Sequence, residues 1–266
     1  MAFTALTIAG SDPSGGAGLQ ADLKTFHQHG VYGMAAVTLI TVQNTVSVSR
    51  VEVLSADLVL QQVEAVLSDI PPGAVKTGAL GNAAIIEVIA RLRFGCPLVV
   101  DPVMVSKHGH ALLAQDAQVA LRTKLLPVTT LLTPNTLEAA ALLGTPVNTL
   151  AEAESAAAAL AKMGPKAVLV KGGHLTGPEA VDVLCLDGRI IHVTAPRLNT
   201  KHTHGTGCTY SAAITANLAK GDTLEHAVRA AKAWLTNALA SAPGVGHGIG
   251  PVNHLAALSR GGRGEG

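Results

Sequence analysis

The residues best suited to do chemistry lie in one short phrase, Gly205-Thr206-Gly207-Cys208, which opens a segment of small side chains. Successive backbone N–H groups at a helix N-terminus make a site for an anion, such as a phosphoryl group in transfer. A thiol in the first turn of that helix faces the same field, which lowers its pKa from about 8.5 and offers a thiolate as base or nucleophile. A lone cysteine can equally be a small buried hydrophobe. That second reading suits Cys96 and Cys185, and it stays open for Cys208.

Phosphoryl transfer asks a protein for positioning, a metal ion and neutralised phosphate charge more than for covalent chemistry. Asp101 ends the apolar run Leu98-Val99-Val100 and is held by Pro102, a setting more typical of a metal-facing carboxylate than of a solvated one. Asn135 and Glu138 start the next helical segment and can reach the same cation, directly or through water. Lys171, after Ala167-Val168-Leu169-Val170, can meet triphosphate oxygens as a point charge, or be an ordinary strand-end lysine.

Other motifs compete. Gly16-Ala17-Gly18-Leu19-Gln20-Ala21 resembles a dinucleotide fingerprint, yet no Asp or Glu stands between Met34 and Ser49 to hold a ribose hydroxyl. A Walker A loop is missing, so a nucleotide must be held another way; a tight turn and helix start is the plain reading of these glycines. His202 and His204 beside Cys208 suggest zinc, but the spacing is unlike a structural finger and the intervening glycines fit an anion better. His108, His110, His247 and His254 read as surface or lid residues on loops.

To bring these phrases together the chain must alternate short buried strands with helices. Apolar β-rich runs predict strands over 6–9, 35–42, 74–77, 98–101, 131–133 and 167–170, and a hairpin over 181–186 and 189–194 turning at Asp187-Gly188. Helical periods fall over 18–29, 56–68, 83–94, 117–125, 137–143, 151–163, 207–220 and 224–241. Ser55, Asn82 and Thr223 read as N-caps, and Gly30, Gly144 and Gly164 stand just past C-termini. This is a βαβ rhythm, hence an α/β fold with a mostly parallel sheet whose ligands sit beyond the carboxyl ends of the strands. These chemical phrases all follow a predicted strand or open a helix.

The 266 residues are 48% hydrophobic, 14% charged and only 2% aromatic, which asks for a core of Ala, Val, Leu and Ile. A net charge of +1 with no basic cluster argues against nucleic-acid and anionic-membrane partners. No signal peptide or long apolar span is readable, and three widely spaced cysteines argue for a reducing compartment, the cytoplasm. The chain reads as a single domain over 1–259 with a flexible tail over 260–266.

Taken in order, Gly10-Ser11-Asp12-Pro13-Ser14-Gly15-Gly16-Ala17-Gly18, Gln20-Ala21-Asp22, Asp101-Pro102-Val103-Met104, Thr133-Pro134-Asn135, Lys171-Gly172-Gly173-His174, His204-Gly205-Thr206-Gly207-Cys208 and Gly246-His247-Gly248-Ile249-Gly250-Pro251 resemble the hydroxymethylpyrimidine and phosphomethylpyrimidine kinases of thiamine biosynthesis. These are ribokinase-like enzymes, and the resemblance runs from the first strand to about His254. It implies a three-layer α/β/α sandwich, a homodimer, and two successive phosphorylations of a hydroxymethylpyrimidine, with ATP as substrate and Mg²⁺ as cofactor. It implies Cys208 as base and Gly205, Thr206 and Gly207 as the anion hole. Gln43, Asp22, Gly10, Val103 and Ala79 would fall in the pyrimidine pocket, Asp101 and Glu138 at the metal, and Asn135, Lys171, Thr206 and Lys232 at the nucleotide. Ala79 stands where many relatives place Met, which leaves room in the pocket and keeps a pyridoxal kinase, or dual activity, as an alternative. A non-catalytic pyrimidine- or metal-binding module is the alternative of another class, and the joint presence of Asp101, Glu138, Lys171 and Cys208 speaks against it.

Overall fold

Strands covered on both faces must be apolar along their length, whereas edge strands can alternate. β1 (Thr4–Ser11), β4 (Ala74–Thr77), β5 (Leu98–Val100), β6 (Leu131–Leu132) and β7 (Ala167–Val170) are of the first kind and buried almost throughout. β2 (Tyr32–Gln43) and β8 (Glu179–Leu186), next to the edges, and β3 (Val48–Val53) and β9 (Arg189–Pro196), at the edges, keep exposed residues. The computed structural model, which describes residues 2–105, 109, 112–113 and 116–258, joins them in one nine-stranded sheet of order β3-β2-β1-β4-β5-β6-β7-β8-β9. Strands β2 through β7 of that order run parallel, and β3 and the β8–β9 hairpin close the two edges by antiparallel pairing.

The period of two along each strand sorts the core into two layers. Val75, Leu98, Val100, Leu132, Val168 and Val170 pack under α2 (Ala56–Asp69), α3 (Ala83–Arg91), α4 (Ala117–Ala120), α5 (Thr136–Leu143) and α6 (Leu150–Ala161). Ala74, Val99, Leu131, Ala167 and Leu169 face the other way, against α7 (Thr206–Ala219) and α8 (Leu224–Ala240). α1 (Gly18–Gln28) joins this second face through Phe26, which meets Ala5, Ala212 and Ala216. The result is the expected three-layer α/β/α sandwich. Among the described residues no helix is long and apolar enough to cross a membrane.

Ser55, Asn82 and Thr223 cap their helices by accepting the N–H groups of Leu58, Ile85 and His226, as their residue types foretell. Two elements and one residue differ from expectation. β3 forms where no strand is readable, because the Asn44 carboxamide accepts the Val46 and Ser47 N–H groups and turns the chain back along β2. The helix expected over 117–125 leaves α-geometry after Ala120 and becomes a π turn, Leu121–Leu125, and a 3-10 turn, Leu126–Val128; Pro127 has no N–H to continue an α ladder. His254, expected on the surface or in a lid, is buried and bonds through Nε2 to the Thr209 hydroxyl at 3.0 Å. His247 is exposed, while His108, His110 and the 260–266 tail lie outside the described residues.

His29 packs edge-on against Trp234. Burial pushes the pKa of His29, and likewise of His254, down to about 4. In the unfolded chain both return to about 6.5, so the unfolded state binds more protons between these values and the stabilisation, full above about 6.5, is lost as pH falls toward 4. By pH 5 each should have lost about 2 kcal/mol. Urea midpoints at pH 7.5 and 5 check this: the fall should shrink in the double variant His29→Gln, His254→Gln, and an equal fall in both proteins would contradict it.

Candidate active site

The parallel strands deliver the loops after β1, β4, β5, β6 and β7 to one end of the sheet, where they surround a cavity of about 760 Å³ with the start of α7. Two of the helix N-termini that border it, those of α1 and α7, are glycine-rich in sequence. The structure separates them through Asp12. Asp12 Oδ1 accepts the Ser14 N–H and hydroxyl, and Oδ2 accepts the Gly16 N–H at 3.2 Å and the Ala17 N–H at 2.8 Å. The loop leading into α1 therefore already holds an anion of its own. At α7 no side chain caps the end, and Gly205 serves as N-cap in the left-handed region at φ 73°. A Cβ at Gly205 would overlap the Gly16 carbonyl oxygen, so glycine is required both for the turn and for the close approach of the two loops.

The Thr206 N–H and hydroxyl both donate to the Thr203 carbonyl. Within the phrase, the first-turn amides of Gly207 and Cys208 are the ones that helix geometry leaves without an intrahelical acceptor. Gly207 lies against the ion pair of Lys171 and Asp101: a Cβ there would come within 3.3 Å of Lys171 Nζ and 3.8 Å of Asp101 Oδ2. Lys171 donates to Asp101 Oδ1 at 2.8 Å, and Thr133 and Ser211 hydroxyls donate to the same carboxylate. Burial works against the Lys171 charge, but Asp101 and Glu138 outweigh it and hold its pKa above the ordinary lysine value.

Asn135 and Glu138 form a capping box at the start of α5, with Glu138 Oε2 accepting the Asn135 N–H at 2.7 Å. Burial pushes the Glu138 carboxyl up to about 7; Lys171 opposes this and Asp101 adds to it. Lys232 is buried and paired with Asp182 Oδ2 at 2.7 Å, while Asp182 Oδ1 accepts the Gly172 N–H and so ties β8 to the residue after Lys171. Gly10, Gln43, Ala79 and Val103 all border the cavity, as do Asp101, Asn135, Glu138, Lys171, Lys232 and the phrase from Gly205 to Cys208.

Two expectations are corrected. Asp22 does not border the cavity: it is fully buried, its carboxylate is held by Lys76 Nζ at 2.7 Å, and the Thr7 hydroxyl donates to it at 2.6 Å. Register explains this, since Thr7 on β1 and Lys76 on β4 are neighbours facing α1. The Cys208 thiol is not made acidic by the helix end. Burial pushes it up to about 11, Lys76 and the Gly18 N–H oppose this, and Asp22 and Asp101 reinforce it.

Sequence reasoning passed over several residues that organise the site. Asp182 sits inside an apolar hairpin strand, and nothing in its spacing connects it with Lys232. Arg197 donates to the carbonyls of Gly173, Leu175, Gly177 and Glu179 and thereby holds the loop after β7 in shape. Lys76 carried the only local signal, a charged residue within an otherwise apolar strand, and a buried lysine needs a buried carboxylate. Cys185 lies in the core and Cys96 packs against it. Among the described residues no group of three or more His, Cys, Asp or Glu side chains gathers as a metal cage.

Comparison with known proteins gives one consistent family. Residues 12–253 match the family model described as phosphomethylpyrimidine kinase. A hydroxymethylpyrimidine/phosphomethylpyrimidine kinase of Streptomyces coelicolor is 49% identical over 256 residues, covering 95% of this chain and 94% of that one. Its namesake from Bacillus subtilis is 45% identical over 258 residues, covering 96% and 95%. Among solved structures, the pyridoxal kinase of Staphylococcus aureus in complex with AMP-PCP and pyridoxal superposes with a TM-score of 0.89 at 36% identity, covering 96% of this chain and 94% of that one.

The raised thiol pKa is directly measurable. Iodoacetamide alkylation of Cys208 in the ligand-free protein, followed by peptide mass mapping across pH, should increase with a midpoint near 11. A midpoint below 8 would show that the helix end prevails over burial.

Proposed function

The chain belongs to the phosphomethylpyrimidine kinase family, and we propose that the cavity at the carboxyl ends of its parallel strands carries both phosphoryl transfers of that chemistry. The protein is a ribokinase-like phosphotransferase of thiamine biosynthesis that phosphorylates hydroxymethylpyrimidine and then the resulting monophosphate, with ATP as donor. The observation that carries the mechanistic reading is the uncapped start of α7, with Cys208 in its first turn and Gly207 against the Lys171–Asp101 pair.

The Gly207 and Cys208 N–H groups receive the phosphoryl oxygens in flight, where the helix end offers preorganised donors to developing charge. Lys171 neutralises triphosphate oxygens, and Asp182 keeps it aimed by holding the backbone of Gly172. Asn135, Thr206 and Lys232 border the nucleotide side, and Gln43, Gly10, Val103 and Ala79 the pyrimidine. Asp22 acts from below by holding Lys76.

Asp101 and Glu138 suit a Mg²⁺ ion, because that ion takes one or two carboxylates and otherwise relies on water and phosphate oxygens instead of an all-protein cage. When bound it supplies positive charge against the triphosphate. Glu138, with a pKa near 7, ionises readily when a cation arrives.

The Cys208 thiolate, formed when the thiol gives its own proton to solvent, takes the hydroxymethyl proton as the oxygen attacks the γ-phosphorus and the bond to the leaving ADP breaks. Burial keeps the free thiol protonated at neutral pH, so this first step should speed up as pH rises toward the thiol's pKa. The second step starts from a phosphate oxygen that is already ionised at neutral pH, since its second pKa is about 6. It asks little of the thiol.

A homodimer is also proposed; it has support in the outward apolar side chains Ile40, Val42 and Val46 on and beside β2. Three free cysteines accord with a cytoplasmic enzyme. Pyridoxal phosphorylation is the second reading, favoured by the small Ala79 at the cavity wall and by the pyridoxal-bound structural relative.

The decisive comparison is kcat/KM with MgATP for hydroxymethylpyrimidine, its monophosphate and pyridoxal, with products identified by mass. Turnover of both pyrimidines is expected, and turnover of pyridoxal alone would move the enzyme to vitamin B6 salvage. Cys208→Ala should lower kcat for the hydroxymethyl substrate by roughly 10²–10⁴ and affect the monophosphate much less. Equal losses on both substrates would remove the thiol from the role of base.

A further inference from the structure

The three loops that border the pyrimidine side are joined by one hydrogen-bonded chain, Asp12 to His204 to Gln43. His204 is 2% exposed, and its Nε2 lies 2.8 Å from Asp12 Oδ2. The same Nε2 lies 3.2 Å from the terminal amide of Gln43, at the Nε2 position. A carboxylate accepts and never donates unless protonated. Asp12 already accepts the Ser14 N–H and hydroxyl and the N–H groups of Gly16 and Ala17, which leaves no room for a proton on it. His204 Nε2 therefore carries the hydrogen and donates to Asp12.

That proton dictates what Gln43 can do. The single hydrogen on Nε2 already points to Asp12, so a second N–H facing it at 3.2 Å is repulsive, whereas a half-turn of the carboxamide about its last bond keeps its shape and lets Oε1 share that hydrogen with Asp12 Oδ2 in a three-centre bond. We propose that His204, locked by Asp12, is the positioning residue that holds the Gln43 carboxamide with its oxygen toward the imidazole and its NH₂ group toward the bound ring. Gln43 then selects a substrate with a hydrogen-bond acceptor at that point, such as a pyrimidine ring nitrogen, and rejects a ring that offers a C–H there. The inference rests on Gln43 as the residue that meets the ring, but the polarity of the chain is a property of the ligand-free protein.

Burial is unfavourable to the Asp12 charge, but the bond from His204 and those from Ser14 and Ala17 outweigh it and hold its pKa below the ordinary value. The donor is thus kept pointing one way through neutral pH. Because Asp12 also closes the loop before α1, the group that sets the polarity is the group that shapes the pocket wall.

Long-range ¹H–¹⁵N correlation spectra of the ¹⁵N-labelled, ligand-free enzyme at pH 8 should show His204 protonated at Nε2. A signal from the tautomer lacking that proton overturns the proposal, whatever substrate the enzyme turns over. In kinetics, His204→Leu should raise KM for hydroxymethylpyrimidine by about 10- to 100-fold with a much smaller change in kcat. His204→Gln, which restores an N–H donor, should recover most of that loss. If His204→Gln and His204→Leu behave alike, or if KM does not move, His204 does not orient Gln43. Failure of the enzyme to phosphorylate any pyrimidine would instead refute the functional reading and leave the spectroscopic result standing.

Discussion

The carboxylate of Asp12 decides which of two similar glycine-rich helix ends is closed by an acceptor from within the chain. Both α1 and α7 begin at glycine-rich loops, and both offer N–H groups that would be costly to bury without an acceptor. Asp12 supplies that acceptor at α1 from within the chain, using the Gly16 and Ala17 amides. Nothing equivalent caps α7. The same carboxylate holds His204, which belongs to the loop entering α7, so one anion shapes the first loop and ties it to the second. The close approach of Gly205 to the Gly16 carbonyl is the steric counterpart of that tie.

Along the cavity wall and beneath it, charge is arranged in compensated pairs. Lys76 with Asp22, Lys171 with Asp101, and Lys232 with Asp182 are each within 2.8 Å, and every one of these carboxylates is buried. A buried pair gains little net stability over an apolar one, but removing one partner leaves a charge that costs about 3–5 kcal/mol. Such pairs are therefore better understood as fixed charges near a reaction than as fold stabilisers. Cys208 sits among them, with Lys76 favouring its thiolate and Asp22 and Asp101 disfavouring it. Burial is the largest of these influences and keeps the thiol neutral at rest, which protects it from stray alkylation and oxidation.

The local grammar of the chain was legible because it depends on neighbours in sequence. Helix caps at Ser55, Asn82 and Thr223, the hairpin turn with Asp187 at φ 50° and Gly188 at φ 75°, and β4 and β7 to the residue follow from residue type and short-range period. The candidate site was legible as a set of phrases after strands, since a parallel sheet gathers those ends in one place. β3 was not, because half of its residues are polar and its pairing comes from an Asn44 turn. The π turn after α4 was missed for a related reason: Pro127 acts on residues that precede it.

Sequence by itself determined the layered α/β architecture, the family resemblance and a set of site residues of which all but Asp22 border the cavity, and these rest on periodicity and residue type. Only the tertiary structure decided how those residues are ionised and which of them reach the cavity. Asp22 reads like a pocket residue and proves to be Lys76's counter-ion; Cys208 reads like an activated thiol and proves to be held neutral. His254 reads like a surface histidine and proves to be a buried partner of α7. In each case the outcome turns on desolvation and on charges many residues away in sequence, and the free energy of a charge depends on the dielectric and the partners around it, which exist only once the chain has folded.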